Sequence, residues 1–285
     1  MTAAPLLVID GDSLGHRAYH AMPPLNDDEG RPAGLLLGFA NVLLATVDLL
    51  HPRAVLLALD SREPSYRHDL LPGYQGQRDP FPPDLTDQLD ALPELAEAFG
   101  FASAKLSSFE ADDLLASAVE TELARGGRAV VMTSDRDAYQ LVSDRSSVLV
   151  PARAGKPPEV VDSAGVRERY GIEPEQVPDL IALRGDPSDA IPGAKGIGAK
   201  SAADLLRRFG TLEGVIEHAA ELTPRQRDSV TGSADALRQY LRVATMRRDL
   251  TVPDLPDAEL DPDGAAGWAT SRGLSGLAGR LSSRG

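Results

Sequence analysis

Apolar and polar positions follow different rhythms in the two halves of the chain. Through the first half, short β-rich runs at 6–10, 54–60, 129–133 and 148–150, with a weaker one at 101–105, alternate with helical-period stretches at 34–50, 84–99 and 110–125. Helices of that length serve as crossovers between parallel strands, so the pattern predicts an α/β layer structure with helices on both sheet faces. The runs 6–10 and 54–60 each end in an aspartate, Asp10 and Asp60, at the carboxyl edge where open parallel sheets place their ligands. After about residue 160 the strand signal stops, and helical segments at 163–170, 174–183, 199–209, 212–218 and 234–248 predict a helical second half. The turn-rich segment 72–83 is expected as an exposed loop or short mobile helix pair, and 251–264, rich in Pro and Asp, is expected on the surface.

The longest apolar run, 34–50, carries Asn41 and Asp48 and is therefore expected as a buried or amphipathic helix, with no membrane span. Met1 leads into Leu6-Leu7-Val8-Ile9 without a basic leader or cleavage site, which together with the absence of cysteine predicts a soluble, cytoplasmic protein. The missing cysteines also exclude disulfide scaffolds, thiolate metal sites and cysteine nucleophiles. At 285 residues the chain is long enough for one large domain or two intimate ones. Its 29 basic and 43 acidic residues give a net charge of −14, a poor match to a partner as negative as nucleic acid. Where the acids fall reverses that expectation.

Besides Asp10 and Asp60, acids cluster as Glu110, Asp112 and Asp113, as Asp135 and Asp137, and as Asp186 and Asp189. Singly, each has a plain explanation as a helix cap or first-turn acid. Together, nine carboxylates sent to one sheet edge would raise each other's pKa, so something cationic must compensate. No His or Cys stands within these clusters, and an all-oxygen donor set suits Mg²⁺ or Mn²⁺ rather than Zn²⁺. Because Mg²⁺ takes few protein carboxylates, nine imply two or three ions. Two ions roughly 3.5–4 Å apart are an arrangement that hydrolyses phosphodiesters.

In the helical half, Gly193, Lys195, Gly196, Gly198 and Lys200 precede a helix bearing Arg207 and Arg208. The glycines permit a tight turn, and the next helix N-terminus then offers free N–H groups to a phosphate without reading sequence. The spacing is not that of a nucleotide-binding P-loop, since Ala199 separates Gly198 from Lys200. From Lys195 to Leu250 the chain holds ten basic and seven acidic residues, so positive charge is concentrated where phosphate contacts would be wanted.

Five motifs, centred on Asp10, on 60–67, on 110–113, on 133–141 and on 185–198, resemble in order the flap endonuclease family, and within it the 5′→3′ exonuclease domain of bacterial DNA polymerase I. The likeness covers residues of about 5–250. It implies a PIN-like nuclease domain over 1–160 with a helical arch at about 72–100, a duplex-binding helix–three-turn–helix region over 161–250, and a surface tail over 251–285. It further implies a first metal on Asp10, Asp60, Glu110 and Asp112, and a second on Asp135, Asp137 and Asp186 or Asp189. Asp113 would be a nearby acid, and a K⁺ ion would sit on the carbonyls of the glycine-rich turn. The implied reaction is metal-dependent hydrolysis at the junction of duplex DNA and a 5′ flap or end, by a monomer.

One departure stands out. The family's usual Tyr-Lys-x-x-Arg reads Tyr74-Gln75-Gly76-Gln77-Arg78 here. The lysine's cation at the scissile phosphate is missing, which could cost several kcal/mol of barrier, with Arg78 left to replace part of it. Tyr74 is a candidate for stacking on an unpaired base or for packing under the arch. Arg17 and Arg67 are candidates for phosphate contact or for a salt bridge to a spare carboxylate. Asp12 is expected as a helix cap, and His16, His20 and His68 are too scattered to suggest a ligand set. A DNA-junction binding protein without turnover and an RNA-cleaving PIN nuclease are the other readings. The complete acid set weighs against the first and the duplex-gripping hairpin against the second. Nine acids at the site and five in the tail equal the whole excess of fourteen.

Overall fold

The computed structural model describes residues 4–22, 25–77, 79–152 and 156–284. Strands β1 (Leu6–Asp10), β2 (Ala54–Leu59), β3 (Ala102–Lys105), β4 (Ala129–Met132), β5 (Ser146–Val150) and β6 (Glu159–Val161) form one sheet in the order β3-β2-β1-β4-β5-β6. All pairs are parallel except β5 with β6. The mostly parallel α/β sheet predicted from the alternating pattern is therefore present, with β6 an antiparallel edge that the sequence pattern did not reveal.

Strand alternation sorts side chains into two cores. Leu7, Ile9, Leu57 and Met132 face one layer, into which α1 (Gly11–Ala21), α2 (Gly34–Leu50), α4 (Pro83–Asp90) and α5 (Leu92–Ala98) pack. Leu6, Val8, Leu56, Ala58 and Val131 face the other, shared with α6 (Ala111–Ala124) and the helical half. Short α3 (Tyr66–Leu70) precedes α4. The helical half comprises α7 (Ser163–Tyr170), α8 (Val177–Arg184), α9 (Ala199–Phe209), α10 (Leu212–Glu217), α11 (Pro224–Gly232) and α12 (Ala234–Ala244). It shares one continuous apolar core with the sheet. Helix α2 buries Leu35, Phe39 and Leu43, and among the described residues no helix is long and apolar enough to cross a membrane.

Two expectations are corrected. Most of the segment expected as an arch, 72–100, is not free. In α4 and α5, Leu85, Leu89, Leu92 and Leu95 are buried, because their helical spacing presents one apolar stripe to the sheet. Of that segment, Tyr74, Gln75 and 79–82 are what line the cleft at the carboxyl edge. Nor is 251–285 a surface tail. Helices α13 (Pro262–Ser271) and α14 (Ser275–Ser282) bury Ala265, Trp268, Ala269, Leu277 and Leu281 against Phe99 and its neighbours. Small residues let these helices approach closely, with the Trp268 ring 6.0 Å from that of Phe99. The Pro- and Asp-rich stretch before them is tied down where Arg53 donates to the Leu255 carbonyl at 2.7 Å and the Ala258 N–H to the Arg53 carbonyl at 2.7 Å.

Candidate functional site

Three strands deliver the acids by parity. Asp10 continues the Leu6/Val8 face, residue 60 the Leu56/Ala58 face and Thr133 the Val131 face, so all three project toward the side on which α6 begins. Asp10 is only 5% exposed and caps α1, accepting from the Ser13 N–H at 2.9 Å and from the Thr133 hydroxyl at 2.7 Å. Asp60 accepts from the Ala111 N–H at 2.7 Å, at the first residue of α6. Glu110 caps that helix, taking hydrogen bonds from the Ser65 hydroxyl and, at 3.0 Å, from the Tyr74 hydroxyl. Asp112 lies in the first turn, where the helix dipole offsets part of its charge.

Asp10, Asp60, Glu110, Asp112, Asp135 and Asp189 line one cleft of about 610 Å³. Burial pushes Asp10 up to about 7, against the hydrogen bonds from Thr133 and Ser13, and repulsion from Asp135 and Asp12 adds to the rise. Burial followed by repulsion from Asp12 likewise pushes Asp60 up to about 7. Asp112 stands well above the ordinary carboxylate range, from burial first and then repulsion by Asp135 and Asp10. Asp137 is raised by burial and by Asp135, Asp189 and Asp186, so the later acids form a second repelling group beside the first. Among the described residues, no three of these side chains are arranged to hold an ion as they stand. Several are turned to protein donors: Asp135 to the Asp137 N–H at 2.9 Å, and Asp186 to the Ser188 N–H at 2.9 Å. The chemistry of the set, all hard oxygen and mutually repelling, nonetheless fits divalent cations.

The loop bearing Asp186 and Asp189 is closed by reciprocal N–H to carbonyl bonds between Asp186 and Ile191, both 2.8 Å. Gly193, at φ +69°, packs so tightly that a Cβ would lie 2.3 Å from the Gly185 nitrogen. The same loop runs on into the glycine-rich turn. Gly198 caps α9 without a side-chain bond, so α9 begins with bare N–H groups, and Lys195, Gly196 and Lys200 are exposed. Arg225, at the start of α11 and absent from the sequence-derived candidates, lies with its guanidinium against Gly196.

Three candidates are corrected. Asp113 is fully buried and belongs to a different site: Arg67, 3% exposed, grips it at 2.7 and 2.8 Å and also donates to the Val243 carbonyl. Arg67 is thereby withdrawn from nucleic acid and Asp113 from any metal. Tyr74, 4% exposed, packs under the cleft with its hydroxyl on Glu110 and is no stacking surface for a base. Gln75, at φ +52°, sits on the rim, its carboxamide donating to the Tyr74 hydroxyl at 3.0 Å and to Asp189 at 3.3 Å. Arg17 is half-buried on α1, and Arg78 lies outside the described residues.

Asp12, expected as a helix cap, leaves that role to Asp10, and His16 and His20, expected to be too scattered for a ligand set, meet at the cleft. Asp12 is buried, pairing with Arg62 at 2.8 Å and accepting from the Asp60 N–H at 2.8 Å. His16 and His20 line the cleft with Asp79 and Phe81, the His16 and Phe81 rings 4.6 Å apart. Their i, i+4 spacing on a helix capped by Asp10 was the available signal.

An acid-lined cleft at the carboxyl edge of a parallel sheet, beside a helical hairpin with a basic turn, defines a phosphodiester-processing class of protein. The profile of the 5′-3′ exonuclease N-terminal resolvase-like domain matches residues 5–171, and that of the 5′-3′ exonuclease C-terminal SAM fold matches 172–264. The chain belongs to the 5′-3′ exonuclease family. It is 37% identical over 246 residues to the thermostable DNA polymerase I of Thermus thermophilus, covering 86% of this chain and 29% of the relative. With DNA polymerase I of Bacillus subtilis it shares 31% over 248 residues, 87% of this chain and 28% of that protein. The chain thus spans under a third of the length of these relatives. Among solved structures, T5 5′-exonuclease with bound divalent zinc ions superposes with a TM-score of 0.71 at 21% identity, covering 84% of this chain and 89% of that one. Human GEN1 in complex with Holliday junction DNA gives 0.63 at 10% identity over 98% and 71% of the respective chains. These two likenesses concern the fold alone.

Proposed function

We propose that the protein is a divalent-metal-dependent, structure-specific nuclease that hydrolyses DNA at 5′ ends or 5′ flaps, acting as a monomer. The observation that carries this reading is the buried acid group at the sheet edge, in which Asp10, Asp60 and Asp112 are all held above the ordinary carboxylate range. Such a group is costly by itself and is relieved by hard cations. Asp10, Asp60, Glu110 and Asp112 would hold the first Mg²⁺ or Mn²⁺, and Asp135 with Asp137, Asp186 or Asp189 a second. Bound ions would supply Lewis acidity at the phosphodiester and an activated water.

The chain's own groups do the positioning. The Thr133 hydroxyl and Ser13 N–H fix Asp10, the Ala111 N–H fixes Asp60, and Tyr74 with Ser65 fixes Glu110. Lys195, Lys200 and the bare N-terminus of α9 would grip duplex phosphates, with Gly193, Gly196 and Gly198 shaping the turn for that approach and for K⁺ at its carbonyls. A second reading, a junction-binding protein without turnover, is favoured by Gln75, which brings no charge to the rim. Incubating a labelled 5′-flap DNA with the protein, with and without Mg²⁺ or Mn²⁺, separates the two. Metal-dependent cleavage abolished in Asp112→Ala is expected. Tight binding with no cleavage under any metal condition establishes the second reading, and undiminished cleavage by Asp112→Ala refutes the site.

A further inference from the structure

Behind the loop that carries Asp135 lies a second cavity, of about 360 Å³, opposite in character to the cleft. Ser134, Arg136, Tyr139, Lys156, Arg169 and Tyr170 line it together with Glu159. Three cations meet one carboxylate there, and that carboxylate is already taken by Arg169 at 2.5 Å. Among the described residues, neither Arg136 nor Lys156 forms an ion pair. The Ser134 hydroxyl is buried without a hydrogen-bond partner, although a buried hydroxyl left unpaired costs about 1–3 kcal/mol. In a chain of net charge −14, this open pocket gathers exposed positive charge beside an orphaned hydroxyl, a combination suited to an anion.

The chain geometry ties this cavity to the cleft. Ser134 and Arg136 face the cavity while Asp135, between them, faces the acids, so a single turn of loop separates the two. We infer that the cavity is a subsite for a backbone phosphate of the nucleic acid lying across the cleft, held by Arg136 and Lys156 with the Ser134 hydroxyl as a further donor. Arg169 stays on Glu159, with its guanidinium 6.0 Å above the Tyr139 ring, and keeps the wall in place. The subsite rests on the nuclease reading. It explains how a strand can be drawn toward the acids of the cleft that would otherwise repel it: the cations stand immediately behind the acid loop.

The test is binding of a labelled 5′-flap duplex by fluorescence anisotropy in Ca²⁺ over a salt series, comparing wild type with Arg136→Gln/Lys156→Gln and Lys200→Gln. Each lost phosphate contact lowers the slope of log K against log salt by about 0.9. The double variant gives up the one phosphate of the subsite and should therefore lose about 0.9, as should the hairpin variant, with Lys156→Gln in an otherwise intact Arg136 background losing less. Unchanged slope and affinity in the double variant, with a loss in Lys200→Gln, overturns the subsite and leaves the nuclease reading standing. No DNA binding by the wild type overturns both. Calorimetric titration with inorganic phosphate and with dAMP completes the test. Heat that is lost in the double variant while the DNA slope is unchanged would assign the cavity to a free phosphate compound and overturn the backbone assignment.

Discussion

Replacing Arg67 by methionine removes the cation but keeps most of the volume of a side chain that is 3% exposed. Its guanidinium makes two bonds to Asp113, at 2.7 and 2.8 Å, one to the Val243 carbonyl at 2.9 Å, and approaches Glu110 at 3.4 Å. Without it, Asp113 is left fully buried with only the Arg247 N–H at 2.8 Å and weak contacts to the Tyr66 hydroxyl and Glu110 N–H at 3.4 Å. Leaving one member of a buried pair uncompensated costs about 3–5 kcal/mol. For a chain of this size that is roughly 10 °C in Tm. Urea denaturation followed by circular dichroism in EDTA measures it, and removing both charges with Arg67→Met/Asp113→Leu should recover more than half of the loss, since apolar partners leave no orphaned charge. A single variant within about 1 kcal/mol of wild type but impaired in DNA binding would refute the reasoning and return Arg67 to the nucleic-acid surface.

Metal-free stability should depend on pH through the cleft. Asp10 and Asp60 rise from near 4 in the unfolded chain to about 7, so they hold protons in the folded state between those values. Their contribution is fully present below about pH 4 and is lost as pH rises through 7, worth up to about 4 kcal/mol for one such group. Asp10→Asn should therefore stabilise the EDTA-treated protein more at pH 8 than at pH 5, and Mn²⁺ should raise the wild-type Tm more at pH 8; equal shifts at both would contradict it. Gln75→Lys sets an ammonium beside Asp189 and should raise flap cleavage by on the order of tenfold, each 1.4 kcal/mol of barrier being one decade; single-turnover kinetics showing no gain would mean that another cation already serves. Trp268→Ala opens a cavity in the α13 contact with Phe99 and should cost about 3–5 kcal/mol in urea denaturation, whereas a surface tail would lose under 1.

Much of the site was legible because its residues sit where local pattern and chemistry coincide. Asp10 and Asp60 end apolar runs of strand length, and Glu110 and Asp112 open a helix, so the sequence alone placed them at one sheet edge. Arg67 and Asp113 share those same motifs, yet their pairing is a contact between α3 and α6 that also takes in the chain end of α12. Neither spacing nor composition distinguishes such a buried pair from an exposed one. Tyr74 was ambiguous for the same reason: a phenol fits a base or a carboxylate equally well until burial decides. The break at Ala91 between α4 and α5, ahead of Pro93, turned one predicted helix into two and buried both.

The sequence by itself determined the parallel α/β rhythm, the helical second half and the positions of the acids, because periodicity and strand-end placement are local properties of the chain. Tertiary structure alone decided which acids share a cleft, which one is claimed by an arginine, and where the uncompensated cations gather. Those are outcomes of residues far apart in sequence being forced to share a low-dielectric interior, where each charge must find a partner or move its pKa. The same holds for the last helices. Their small, weakly patterned residues read as tail until Phe99 and the α5 face gave them something to bury against.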